Sequence, residues 1–434
     1  MRYPILTLIF FALLLSADIQ AQTYLNRTEK KIIKQAASYE TQAIDFLEKV
    51  VNINSGTLNQ KGVREVGNVF SSAFKAIGFQ TEWIEMPEEM NRAGHLFASI
   101  EGTEGKRLLL IGHLDTVFEE NSPFQTFVRQ DSIAYGPGAN DMKGGNVIML
   151  YALKSLYDLK LLNNKSIIVA FTGDEESTGK PLSISRKELI AAGKKSDVAL
   201  GFENSAGYNN ATIARRGASG WRVESSGIRA HSSGIFRPNV GAGAIFELSR
   251  VLNAFYEDVR GEDLLSFNPG TLLGGTFVDY DKQKSEGRIF GKTNVVAQKA
   301  VVHGGLRFIS EDQKQRARTK MRTIVANSLP QTESNISFVD SYPAMQPTQG
   351  NMSVLKELSD VSLAMGQGAV VAYDPAKRGA ADISFVANDT DGIDGLGTMG
   401  TGAHTPQETV DLTTIKALIQ RTAILIYRLT QKKN

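Results

Sequence analysis

Residues 107–116 read RLLLIGHLDT. A run of apolar residues, Leu108 to Ile111, follows Arg107 and is closed by Gly112, which suits a strand buried on both faces. The segment SIIVAFT (Ser166 to Thr172) repeats the pattern, and Asp197 to Phe202 gives a shorter version. Helical spacing lies between them, over Asn146 to Leu162 and Leu182 to Ala192. Upstream, Arg27 to Val51 predicts one amphipathic helix and Val63 to Ile77 another, stopped by Gly78. Thr81 to Met86 and His95 to Ile100 read as further strands. Strands alternating with helices indicate an α/β domain with a mostly parallel central sheet.

The pattern changes near Gly217. Gly220 to Ala230, Gly270 to Tyr280, Asn294 to Ile309 and Asn335 to Val339 predict strands, with helices over Gly241 to Val259 and Glu311 to Ser328. The order β-α-β-β-α-β is ferredoxin-like. Residues 217–340 are therefore expected as an inserted α+β module, which splits the first domain into 22–216 and 341–434. After the insert come a helix over Met352 to Met365, a strand near Val370, a helix over Ala380 to Ala387, a strand over Gly392 to Leu396 and a helix over Leu412 to Leu429.

The chain has 434 residues, with 48 Lys plus Arg against 46 Asp plus Glu, a net charge of +2. That balance argues against nucleic-acid binding through a basic field. There is no cysteine, so disulfides, thiolate metal sites and a cysteine nucleophile are excluded. Met1-Arg2, the apolar run Ile5 to Ser16 and the small residues Ala17 and Ala21 read as a signal peptide, residues 1–21. The expected product is exported, periplasmic or secreted, with no membrane association after cleavage.

Acids and imidazoles follow the predicted strands. His113 and Asp115 follow RLLLIG, and Asp141 lies in the loop GPGANDMKGG. Glu175 and Glu176 follow SIIVAFTGD, Glu203 follows VALGF, and His404 follows the late strand and its glycine-rich loop. Ligand sites in open parallel sheets form beyond the carboxyl ends of the strands. Imidazoles with carboxylates suit a borderline metal such as zinc, and this many donors suggests two ions. Asp115, two residues from His113, suits the outer ring nitrogen of that histidine. Of the adjacent Glu175 and Glu176, one can bind metal while the other moves a proton.

The segments GHLDTV, YGPGANDMKGG, TGDEESTG, GFEN, RAHSSG and GTGAHTPQETVDL resemble, in order, those of the co-catalytic zinc peptidase family of glutamate carboxypeptidase, aminoacylase and succinyl-diaminopimelate desuccinylase. The resemblance implies that Asp141 bridges two Zn2+ ions, with Co2+ or Mn2+ as possible substitutes. It implies His113 and Glu203 on one ion, Glu176 and His404 on the other, Glu175 as the base, and Asp115 orienting His113. It further implies a cis peptide at Asp141-Met142. The insert resembles the family's lid and dimerisation domain, and the chain is expected to form a homodimer through it. His231 matches a lid histidine that stabilises the tetrahedral intermediate, often from the partner subunit. Asn294 and Arg307 match lid positions that face substrate. Glutamate-cleaving relatives carry a further arginine where this chain has Ser341-Tyr342-Pro343, a departure from strict C-terminal glutamate specificity. The implied activity is hydrolysis of an amide bond next to a free carboxylate, in a short peptide or an N-acyl amino acid. An N-acyl amino acid deacylase is the alternative within the family, and a non-catalytic binding protein is the alternative outside it.

Overall fold

The computed structural model describes residues 24–281 and 284–431. The segment read as a signal peptide, 1–21, lies outside them. Among the described residues no helix is long and apolar enough to cross a membrane.

The chain opens with helices α1 (Arg27–Ala37), α2 (Glu40–Val51) and α3 (Gln60–Ala76). The expected single helix over 27–51 is broken. Ser38 Oγ takes the Gln35 carbonyl at 2.7 Å, and the Tyr39 hydroxyl is held by Asp158. Strands β1 (Gln80–Ile84), β2 (His95–Ile100) and β3 (Glu104–His113) follow, then helix α4 (Lys143–Asp158), β4 (Lys165–Thr172) and β5 (Val198–Gly201). In β3 the alternation explains the apolar run. Leu108 and Leu110 enter the main core with Phe70 and Phe171, while Leu109 and Ile111 pack on the opposite face with Leu189, Ala192 and Ile383. All four are at most 3% exposed, so neither face of this strand meets water.

Residues 217–340 build a second sheet from β6 (Gly217–Gly227), β7 (Ser266–Gly275), β8 (Lys299–Phe308) and β9 (Thr332–Asp340). Its order is β7-β8-β6-β9 and every pairing is antiparallel. Helices α5 (Gly243–Asp258) and α6 (Glu311–Ala326) close a separate core around Trp221, Val223, Phe255 and Met321. The long strand expected over 270–280 instead ends at Gly275. Phe277–Asp281 folds back on Glu286–Phe290 as an extra hairpin. A Cβ on Gly275 would lie 2.7 Å from the Phe290 carbonyl oxygen, so the turn into this hairpin needs glycine. The two crossings between the sheets run side by side, with Arg215 and Met345 exchanging backbone hydrogen bonds of 2.8 and 3.0 Å.

Helix α7 (Gln349–Ala364), the last central strand β10 (Asp391–Ile393) and helix α8 (Leu412–Gln431) complete the first unit. The central sheet has the order β1-β2-β4-β3-β5-β10, with β4, β3, β5 and β10 mutually parallel and β2 antiparallel to its neighbours. The helix expected over 380–387 is only a short turn, Asp382–Phe385. A small antiparallel sheet, unforeseen in the sequence, joins Val128–Gln130, Ile133–Tyr135, Thr409–Asp411 and Gly400–Thr401.

Candidate active site

The carboxyl ends of the parallel strands deliver the acids and imidazoles to one place. His113 ends β3, Glu175 and Glu176 follow β4, Glu203 follows β5, and Asp141 precedes α4. His404 arrives differently from expectation: it follows Gly400–Thr401 of the small sheet, with a left-handed φ of 65°. The Asp141 carboxylate stands between the two imidazoles. Its Oδ1 lies 3.3 Å from His113 Nε2 and its Oδ2 lies 3.2 Å from His404 Nε2. Glu203 Oε1 is 3.8 Å from His113 Nε2, and Glu176 Oε2 is 3.2 Å from His404 Nε2. Glu175 joins the His113 side, where one ligand atom from each of His113, Glu175 and Glu203 falls within 4.8 Å of the others. The Asp141-Met142 peptide is cis.

A second layer of hydrogen bonds fixes these groups. Asp115 is fully buried and ties two loops together. Its carboxylate accepts the Glu175 and Glu176 amides at 3.0 and 3.1 Å and the Thr57 hydroxyl at 2.7 Å. It also lies 3.4 Å from His113 Nδ1, but that nitrogen is nearer the Asp115 backbone carbonyl, at 3.0 Å. Asp115 thus faces the outer nitrogen of His113 with two acceptors, its main-chain oxygen and its carboxylate. Asn146 donates to the His113 carbonyl at 2.6 Å. Gly112 makes room for Asn146, since a Cβ there would lie 2.0 Å from its Oδ1.

Three supports escaped the sequence reading. Glu408 accepts the Asn140 and Asp141 amides at 2.9 and 3.0 Å and so positions the main chain that carries the Asp141 carboxylate. Asp394, paired with Arg215 at 2.8 Å, accepts the Glu203 amide at 3.3 Å. Tyr342 donates its hydroxyl to the Glu175 carbonyl at 2.8 Å. Glu408 falls within the quoted segment GTGAHTPQETVDL, which was the available signal; the other two carried none. Removing an outer support of this kind typically costs 10–100-fold in metal affinity. We expect Glu408→Gln to weaken metal binding by about 10-fold, because an amide keeps one acceptor but loses the charge that draws in both N–H groups. Titration with a chromophoric chelator measures this, and wild-type affinity would remove Glu408 from the support.

Electrostatics test whether the donors fit metal. Burial pushes the Glu203 carboxyl up to about 8, with the Asp141 charge adding to it. Burial likewise drives Glu175 well above the carboxylate range, helped by Glu203. Hydrogen bonds that His404 donates to Asp141 and Glu176 raise its imidazole to about 11. At His113 burial acts downward, but hydrogen bonds to Asp115 and Asp141 outweigh it and the imidazole stays well above its usual value. Four carboxylates around two imidazoles are short of positive charge, and protons make up the deficit. Glu176 Oε1 is buried with no partner among the described residues. Hard and borderline donors, an orphaned buried oxygen and a deficit of cations fit divalent metal. Metal binding must displace those protons, so we expect proton release near neutral pH and affinity that falls as pH drops. Calorimetry in buffers of different ionisation enthalpy checks this; proton-neutral binding would contradict it.

The remaining predicted residues lie on the 217–340 unit. His231 is exposed and its recorded hydrogen bonds run to Ser233, not to the cluster. Asn294 sits beside it, its carbonyl accepting the Ser232 amide at 2.9 Å, and Val295 forms a backbone bridge to His231. Arg307 is exposed on β8 and lines a pocket of about 280 Å³ with Arg216, Lys377 and Arg378.

A family model described as Peptidase family M20/M25/M40 matches residues 109–428. Carboxypeptidase G2 of Pseudomonas sp. is 28% identical over 428 residues, covering 96% of each chain. Succinyl-diaminopimelate desuccinylase of Hydrogenovibrio crunogenus is 24% identical over 407 residues, 90% of this chain and 98% of the relative. The crystal structure of an aminopeptidase from Bacillus cereus superimposes with a TM-score of 0.71 at 14% identity, covering 90% of this chain and 98% of that one, which shows a shared fold.

Proposed function

From the premise that the chain belongs to peptidase family M20/M25/M40, a family of hydrolytic metallopeptidases, we propose an exported dizinc hydrolase that cleaves an amide bond next to a free carboxylate. The substrate is a short peptide or an N-acyl amino acid. The observation that carries this reading is the Asp141 carboxylate set between a His113–Glu203 pair and a His404–Glu176 pair, with Glu175 beside the first. His113, Glu203 and Asp141 would hold one ion; His404, Glu176 and Asp141 would hold the other. Bound zinc supplies Lewis-acid polarisation of the amide carbonyl and lowers the pKa of water.

The chain's own groups do the rest. Glu175 accepts the proton of the attacking water and hands it to the leaving amine nitrogen. Asp115 keeps Glu175 and Glu176 in register through their amides. Arg307 pairs with the substrate carboxylate, and Asn294 lies beside His231 to meet the scissile group. Residues 217–340 act as a lid that closes on the two crossings near 217 and 341, and also as the dimerisation unit. The test is hydrolysis of a panel of dipeptides and N-acyl amino acids after chelation and after zinc is restored. Zinc-dependent release of a free amino acid is expected. Absence of amide hydrolysis across the panel with zinc, cobalt and manganese would overturn the reading.

A further inference from the structure

The loop after β4 carries Glu175, and several of its bonds stay inside the catalytic unit. Asp115 accepts the Glu175 and Glu176 amides. Asp174 Oδ2 accepts the Gly179 amide and the Ser185 hydroxyl, each at 2.8 Å. Arg92, in the turn before β2, grips Ser177, with Nε on the carbonyl at 2.6 Å and Nη2 on the hydroxyl at 3.0 Å. The Glu175 carbonyl is held from elsewhere. It accepts the Tyr342 hydroxyl at 2.8 Å, and Thr178 Oγ1 lies 3.0 Å from the same hydroxyl. The two main-chain groups of Glu175 therefore have anchors in different places, the N–H in the catalytic unit and the C=O on the second crossing.

Tyr342 has its main chain in one unit and its hydroxyl in the other. Its carbonyl accepts the Ala218 amide at 2.8 Å, and the Ser341 amide donates to the Ala218 carbonyl at 3.2 Å. Its backbone is thus paired with the first residues of β6, the root of the 217–340 unit. The ring packs on Phe385, with centroids 5.0 Å apart and a tilt of 56°. The Arg186 guanidinium stands 5.4 Å over Phe385 and pairs with Asp174 and Asp382. The ring is therefore seated against the same buried network that holds the Glu175 loop. Burial pushes the phenol up, so its oxygen keeps the proton and donates. One such bond adds little to stability. Its leverage is geometric, because misplacing a reacting group by about 1 Å can cost ~10²-fold in rate. We propose that Tyr342 is a positioning residue for the base: it sets Glu175 from the root of the 217–340 unit, so that base and lid share one anchor. The inference rests on the amide hydrolysis proposed above.

Tyr342→Phe removes the hydroxyl and keeps the ring. In the zinc-restored full chain it should lower kcat by about tenfold or more while KM stays within about twofold, with metal content unchanged. The loss should be similar for a dipeptide and an N-acyl amino acid, since the base serves both. In the Glu175→Gln background the same change should cost less than about twofold, because no base remains to be positioned. A merely structural role would give equal losses in the two backgrounds, and that result would overturn the proposal, as would wild-type kcat in Tyr342→Phe. A raised KM with unchanged kcat would make Tyr342 a substrate contact and overturn it too. Hydrogen exchange gives a readout independent of turnover. In the full chain without substrate, Tyr342→Phe should speed exchange of the Glu175 and Glu176 amides by about fivefold or more and leave β6 unchanged. If the wild type cleaves nothing in the panel, the hydrolase reading fails and exchange alone decides the anchor. Equal exchange in wild type and variant would then overturn it.

Discussion

Glu175→Gln is expected to keep its full complement of metal and to lose turnover by about 10²–10⁴-fold. The substitution preserves shape, and the amide of residue 175 still bonds to Asp115, because that bond comes from the main chain. What disappears is a carboxylate able to take a proton and return it. Burial raises the Glu175 carboxyl, which suits a group that must alternate between the two protonation states during one cycle. Asp141→Ala provides the opposite result. It removes the carboxylate that, among the described residues, lies against both imidazoles, at 3.3 and 3.2 Å, so metal content should fall along with activity. Metal analysis by mass spectrometry alongside single-turnover kinetics separates the two. An empty site in Glu175→Gln together with a full one in Asp141→Ala would reverse the roles assigned here.

The legibility of this site follows from where its atoms sit. His113, Glu175, Glu176 and Glu203 could be read because each follows a buried apolar strand, and strand ends are visible as breaks in hydropathy. His404 was legible as a residue but not in its placement, since Gly400–Thr401 is too short to carry any periodicity. Glu408 was legible only as part of a quoted segment, with no role attached, and Asp394 was not legible at all. Each works by accepting backbone amides far away in sequence, and such bonds leave no trace in the order of residues. The hairpin over 277–290 misled for a different reason. Val278 and Tyr280 continue the alternation of β7, so the pattern reads as one strand, while the fold turns at Gly275 and Thr276 to pair with Phe290. The break between α1 and α2 spans only Ser38 and Tyr39, too short to interrupt the helical spacing of apolar residues on either side.

His231→Ala is expected to lower turnover by about 10²–10³-fold, the usual worth of one oxyanion donor, with metal content unchanged. The local geometry favours a donor. The Ser233 amide points at Nδ1 from 3.3 Å and its hydroxyl lies 2.9 Å from the same atom, so the neutral ring carries its proton on Nε2. The ring is exposed and its side-chain bonds among the described residues run to Ser233, so the proposed role has it reach substrate after the 217–340 unit moves or from a second subunit. Apolar surface beside it favours the second route: Phe236 and Phe246, 67% and 54% exposed, pack on each other near His231, the kind of patch a partner covers. Mixing Glu175→Gln with His231→Ala subunits separates these routes. A random mixture of dimers holds one hybrid site in each heterodimer, with an intact Glu175 from one chain and an intact His231 from the other. In-trans action therefore restores roughly a quarter of wild-type activity, as a two-fold dimer requires. No recovery in a demonstrated heterodimer places the histidine in cis, acting after closure. Full activity of His231→Ala alone would end its catalytic assignment, and the exposed ring would then be only the cap of the short turn Ser232–Gly234.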